Sequence, residues 1–228
     1  MKKKITTTTT TTVVETIETN SKPTHIKVVL DRSGSMQSIS QATVDGLNSL
    51  IREQKAEQGS IFMSLVQFDS EYQVDYNRKP ISDVEYLVNG VTFVPRASTA
   101  LFDAIGRTIN ETELGDDILF IIITDGEENS SKEFKKETVF QMIENKKKEG
   151  WKFLFLGANQ DAIKAGGSLG VSLTNSVTFN SNNSSVQAAY STLSNKLSSY
   201  RSFKSVDASA DALASLDFSD QERSFIDK

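Results

Sequence analysis

The stretch Asp117-Ile-Leu-Phe-Ile-Ile-Ile-Thr124 constrains the fold of this chain more than any other. Successive residues of an extended segment point to opposite sides, so an unbroken apolar run needs cover on both faces. That places the segment at the centre of a sheet with helices above and below. His25 to Leu30 has the same continuous apolar character and reads as a second central strand. Ile61 to Phe68, Trp151 to Leu156 and Val177 to Asn180 read as further strands, and Glu71 to Tyr76 follows so short a turn that it must pair antiparallel at an edge.

Between the strands the apolar residues recur at helical spacing. Ser38 to Glu57 presents Ile39, Leu47, Leu50 and Ile51 on one side, and a helix opening at Ser98-Thr99-Ala100 presents Leu101, Phe102, Ile105 and Ile109. Lys132 to Lys148, Gln160 to Ala165 and Ser184 to Tyr200 complete the set, the last with Val186, Ala189, Leu193 and Leu197. Residues 77–97, with Pro80 and Pro95, read as a long connection with a helical turn near Asp83 to Leu87. The pattern predicts an α/β fold: a doubly wound, mostly parallel six-stranded sheet with one antiparallel edge strand and helices on both faces. Ligands of such sheets bind beyond the carboxyl ends of the strands, where strand order reverses.

The 228 residues divide into a Thr-rich arm (1–22), a domain (23–203) and a tail (204–228) with a short helix. Leu213, Leu216, Phe218, Phe225 and Ile226 give the tail an apolar pattern suited to packing back on the domain or to docking a partner. Met1 to Ile5 begin like a secretory leader, but Thr6 to Thr12 stand where its apolar core belongs. No long apolar run follows, so the chain reads as soluble and cytoplasmic, with no membrane contact. Asn110, Asn129 and Asn183 then read as chance glycosylation sequons. The formal charge of −5 and the scattered basic residues argue against nucleic acid, and Lys146 to Lys148 read as a solvated helix end. The absence of cysteine excludes disulfides, thiolate catalysis and thiolate-bound zinc. A single histidine, His25, reads as structural.

The chemistry-bearing motif is Asp31-Arg-Ser33-Gly-Ser35, placed directly after the first strand. A carboxylate and two hydroxyls at alternate positions make an all-oxygen set suited to hard cations. Thr99 at a helix start and Asp125 after the central strand belong on the same sheet edge. The five positions, Asp31, Ser33, Ser35, Thr99 and Asp125, resemble a complete metal-ion-dependent adhesion site of von Willebrand factor A domains. The flanking text Val-Val-Leu-Asp-Arg-Ser-Gly-Ser-Met, Arg-Ala-Ser-Thr-Ala-Leu-Phe-Asp-Ala-Ile and Ile-Ile-Thr-Asp-Gly-Glu-Glu-Asn extends the resemblance over residues 25–203. With Phe-Leu-Gly-Ala-Asn-Gln-Asp-Ala at 155–162, it is most similar to stand-alone bacterial or phage-type members.

The resemblance implies a six-coordinate divalent ion, Mg²⁺ or else Mn²⁺ or Ca²⁺. Ser33 and Ser35 bind it directly, Thr99 directly when a ligand is engaged, and Asp31 and Asp125 largely through water. The implied partner is a protein presenting an Asp or Glu to the ion. Glu127, Glu128 and Asp69 stand near the same rim, as ligands or as solvated loop residues. Gly166 to Gly170 lack the setting of a phosphate loop and read as a plain connection. An interaction module without catalysis is the favoured function. The alternatives are a structural or assembly protein, such as a phage virion component using its terminal arms, and a Mg²⁺-dependent phosphoryl-transfer hydrolase. The hydrolase needs a second acid two residues after the first, where this chain has Ser33.

Overall fold

A computed structural model describes residues 22–57, 59–113, 115–158, 161–205 and 209–227. The expectation of a Thr-rich arm over residues 1–22 falls outside the described residues except at Lys22. The six strands are β1 (Thr24–Asp31), β2 (Ile61–Phe68), β3 (Tyr72–Pro80), β4 (Asp117–Thr124), β5 (Lys152–Ala158) and β6 (Ser176–Phe179). They form one sheet in the order β3-β2-β1-β4-β5-β6, with β3 antiparallel to β2 and every other pairing parallel. The chain leaves β1 toward β2 and β3, then returns to lay β4 on the other side of β1. The strand order therefore reverses between β1 and β4, and the predicted class is the observed one.

The helices are α1 (Ser40–Ala56), α2 (Leu101–Asn110), α3 (Lys136–Lys148), α4 (Ala162–Ser168), α5 (Asn183–Ser205), α6 (Ser209–Ala214) and α7 (Asp220–Ile226). On one face Ile26, Val28 and Leu30 pack with Leu47, Leu50 and Ile51 of α1 and Val186, Leu193 and Leu197 of α5. On the other, Val29, Phe120, Ile122 and Phe155 pack with Leu101, Ile105 and Ile109 of α2 and Val139 and Ile143 of α3. Each such side chain contributes roughly 1.5–3 kcal/mol on leaving water. No described helix is long and apolar enough to cross a membrane.

Several predicted bounds shift for local reasons. Gly34–Ile39 form a 3₁₀ turn, so α1 begins at Ser40 rather than Ser38. The turn expected near Asp83 to Leu87 lies instead at Ile81–Asp83, because β3 continues to Pro80. The α3 helix starts at Lys136 rather than Lys132, since the Asp103 carboxylate takes the N–H groups of Lys132, Glu133 and Phe134 at 2.8–2.9 Å. Gly166 and Gly167 belong to the last turn of α4.

Beyond α5 the described residues hold two short helices rather than one. Ala212, Leu216, Phe218 and Ile226 are buried, whereas Leu213 and Phe225 are exposed. The Arg223 guanidinium donates to the carbonyls of Leu173 (2.9 Å) and Ser176 (2.5 Å), beside edge strand β6. Lys196 binds the Asp217 carbonyl (2.6 Å) and Glu222 (2.9 Å), tying the segment to α5.

Candidate metal centre

Asp31 ends β1 and is wholly buried. Its Oδ1 accepts the Ser33 N–H (2.6 Å), which turns the chain, and its Oδ2 accepts the hydroxyl of Thr124, the last residue of β4 (2.6 Å). The turn brings Ser33 Oγ to 3.0 Å from Ser35 Oγ, and Ser35 Oγ donates to Asp125 Oδ1 at 2.5 Å. Thr99 is buried just ahead of α2. A methyl group built on Gly126 would stand 3.0 Å from Thr99 Oγ1, 3.5 Å from Ser35 Oγ and 3.7 Å from Asp31 Oδ2. Oxygens from two separate segments, the turn after β1 and the approach to α2, therefore surround one point that a glycine of a third segment leaves free. Ser35 is exposed and Gly126 borders a cleft of about 400 Å³, so that point is reachable from solvent.

Burial pushes the Asp31 carboxyl up to about 6, although hydrogen bonds from Thr124 and Ser33 pull it down; the charge of Asp125 adds to the rise. Burial also raises Asp125, against the hydrogen bond from Ser35. Among the described residues neither carboxylate has a basic ion-pair partner. One buried and one half-buried acid beside three neutral hydroxyls fit a hard divalent cation, whose charge would reverse both upward shifts. Among the described residues no group of three or more His, Cys, Asp or Glu could hold a metal. A metal centre here has to draw on hydroxyls.

The other acids of the rim have different tasks. Asp69 is buried, its Oδ2 shared by Arg32 Nε (3.0 Å) and Arg96 Nε (2.9 Å) and its Oδ1 taken by the Glu71 N–H (2.6 Å). Its charge is thus matched by two guanidiniums. Glu128 accepts the N–H of Phe102 in the first turn of α2 (3.0 Å), and those of Ser130 (2.8 Å) and Ser131 (2.7 Å). It is a cap that pins the β4–α3 loop to α2, not a freely solvated side chain. Glu127 is exposed.

Sequence reasoning missed Asn129 and Asp103. Asn129 Oδ1 accepts the Thr99 N–H (2.9 Å), and the Asn129 N–H donates to the Thr99 carbonyl (3.0 Å). Asp103 resists the upward push of burial because three backbone N–H groups hold its carboxyl below the usual range. The available signal was a run of strong acceptors, Glu127-Glu128-Asn129, beside a helix start that needs them.

Among curated proteins none matches the chain in sequence. Solved structures match its fold. Proximal thread matrix protein 1 from the mussel byssus superimposes with a TM-score of 0.57 at 15% identity, over 76% of this chain and 45% of that one. Another crystal structure of that protein, described as having a zinc-occupied MIDAS motif, gives 0.54 at 14% identity over 77% and 48%. The pilus adhesin SpaC from Lactobacillus rhamnosus GG, in its open conformation, gives 0.61 at 14% identity over 77% and 30%. The chain thus spans less than half the length of these structures. Residues 25–194 match the family model of the von Willebrand factor type A domain. That match covers most of the sequence, and the chain belongs to the von Willebrand factor type A family.

Proposed function

We propose that this chain is a metal-dependent protein-interaction module without catalytic activity of its own. Ser33, Ser35 and Thr99 would hold a divalent cation through their hydroxyls, with Asp31 and Asp125 supplying the negative charge around it. The observation that carries this reading is the point beside Gly126. Thr99 Oγ1, Ser35 Oγ and Asp31 Oδ2 converge there, and among the described residues neither acid has a basic ion-pair partner. Once bound, an ion whose charge is only partly offset supplies affinity for a carboxylate from a partner. Hard oxygen ligands favour Mg²⁺ or Mn²⁺, although one fold relative is described with zinc. The interaction reading also agrees with the adhesin among the fold relatives. A hydrolase is disfavoured because Ser33 stands where a second acid would be needed.

The test is calorimetric titration of Mg²⁺, Mn²⁺ and Zn²⁺ into wild type and Asp31→Ala. Capture of peptides that each carry one Asp or Glu is then compared in Mn²⁺ and in EDTA. Saturable binding lost in Asp31→Ala, with EDTA-sensitive capture, supports the reading. Capture that survives EDTA moves the interaction surface away from the ion.

A further inference from the structure

Thr99 is the one hydroxyl of the site that lies outside the β1 turn, and its backbone is held from one place. Its N–H and its C=O both bind Asn129, the first to the side-chain Oδ1 and the second to the backbone N–H. Thr99 cannot shift relative to the β4–α3 loop without breaking both bonds. The same joining continues along the chain. Glu128 binds the Phe102 N–H, Ser131 Oγ accepts the Asp103 N–H (3.1 Å), and Asp103 takes three N–H groups at 132–134. Residues 99–103 and 128–134 therefore behave as one unit that carries Thr99. A different set of bonds reaches the neighbouring residues from the turns after β1 and β2. The Ala97 carbonyl accepts the Gly34 N–H (3.1 Å), and the Ala100 N–H donates to the Asp69 carbonyl (2.9 Å). Neither of these touches Thr99 itself.

We propose that Asn129 is a positioning residue for the metal site, acting through Thr99; this rests on the metal reading given above. Its Oδ1 fixes where Thr99 Oγ1 stands relative to Ser35 and Asp31. Any movement of Thr99 toward an ion then carries the loop from Gly126 to Ser131 with it. Two features separate this role from core packing. Asn129 is exposed, so its side chain fills no space in the interior. Only its acceptor oxygen is used, since its amide nitrogen has no partner among the described residues. An Asp at this position can do the same work, and an Ala cannot.

The experiment is Mn²⁺ titration calorimetry on wild type, Asn129→Ala, Asn129→Asp and Asp31→Ala, with urea midpoints of each in EDTA. We expect Asn129→Ala to bind Mn²⁺ about tenfold more weakly, the range seen for groups that orient metal ligands. Its EDTA midpoint should stay near that of wild type. Asn129→Asp should recover wild-type affinity or exceed it. Wild-type affinity in Asn129→Ala overturns the proposal, as does an Asp variant no better than Ala. A fall in the EDTA midpoint of Asn129→Ala with affinity intact reduces Asn129 to a structural role and overturns it too. Wild-type binding by Asp31→Ala means that the metal reading itself has failed. Loss in Asp31→Ala with none in Asn129→Ala defeats this proposal alone.

Discussion

At the start of β4, Asp117 is buried with three partners: Lys152 (2.5 Å), Lys204 (2.7 Å) and the Tyr200 hydroxyl (2.7 Å). Burial alone would raise its carboxyl, but these contacts outweigh it and hold the group below its usual range. Next to it, Asp116 is kept low by the Arg78 guanidinium, which binds it through two nitrogens at 2.6 and 2.9 Å. At the other end of the strand, Asp125 and the nearby Asp31 meet hydroxyls and backbone N–H groups, and burial drives both carboxyls up. The same residue type, at opposite ends of the same sheet, thus stabilises the fold at one rim and strains it at the other. Local conflict of this kind, left uncompensated by the protein, is what a binding site looks like in a folded domain.

The largest effect should come from the satisfied rim. Asp117→Ala strips two lysines and a tyrosine of their shared acceptor, and breaking a buried pair in this way costs about 3 kcal/mol. Urea unfolding in EDTA measures it. Asp31→Asn under the same conditions should cost less than about 1 kcal/mol, because relief of the buried charge offsets the hydrogen bond that is lost. Equal losses at the two positions would break the comparison.

An ion should repair the strained rim and leave the satisfied one untouched. At a hundredfold excess over its dissociation constant, Mn²⁺ should stabilise the protein at pH 7.5 by about 2.7 kcal/mol. That corresponds to roughly 5–10 °C in the thermal midpoint of a domain this size. Asp31→Ala should abolish the gain, while Asp117→Ala should lower the midpoint and keep the gain. Gly126→Ala is the sharper variant, since its methyl would stand 3.0 Å from Thr99 Oγ1. Mn²⁺ affinity should fall about tenfold, with the EDTA midpoint within about 0.5 kcal/mol of wild type. An unchanged affinity in Gly126→Ala would mean that the ion does not use the point beside it.

The strained rim was the more legible of the two in the sequence. Asp31, Ser33, Ser35 and Asp125 directly follow apolar runs whose length fixes where each strand ends, and the bounds of β2 and β4 match the prediction residue for residue. Thr99 could be read because it opens a helix. The satisfied rim was not legible, since Asp117, Lys152 and Lys204 lie far apart in the chain and each alone is an ordinary charged residue. The loop contacts of Asn129, Glu128 and Asp103 were hidden for the same reason. A side chain that caps a distant backbone has the composition of a solvated loop, and only the fold distinguishes the two. The tail was half legible: its apolar residues were visible, but Leu213 and Phe225 face solvent because α6 and α7 are too short to bury both sides.

The finest test of the comparison is the pH profile of stability, where the two rims pull in opposite directions. His25, at the satisfied rim, is lowered from 6.5 to about 4, by burial first and then by the charge of Lys27, with Asp116 opposing. Between those values the unfolded chain holds a proton that the folded one lacks, so this contribution is full above pH 6.5 and is lost as pH falls toward 4. Asp31 is raised from 3.8 to about 6, so the folded chain holds the extra proton, and stability falls as pH rises through that window. In EDTA the two slopes nearly cancel, and the urea-derived stability should change by less than about 1 kcal/mol from pH 4.5 to 7. Saturating Mn²⁺ keeps Asp31 ionised in the folded state and removes its opposing slope, so stability should then climb with pH by about 2–3 kcal/mol. His25→Gln should leave the EDTA profile falling with pH, because the slopes that remain come from the raised carboxyls of Asp31 and Asp125. Parallel profiles in EDTA and Mn²⁺ would mean that the ion does not reach Asp31, and the contrast between the rims would lose its functional meaning.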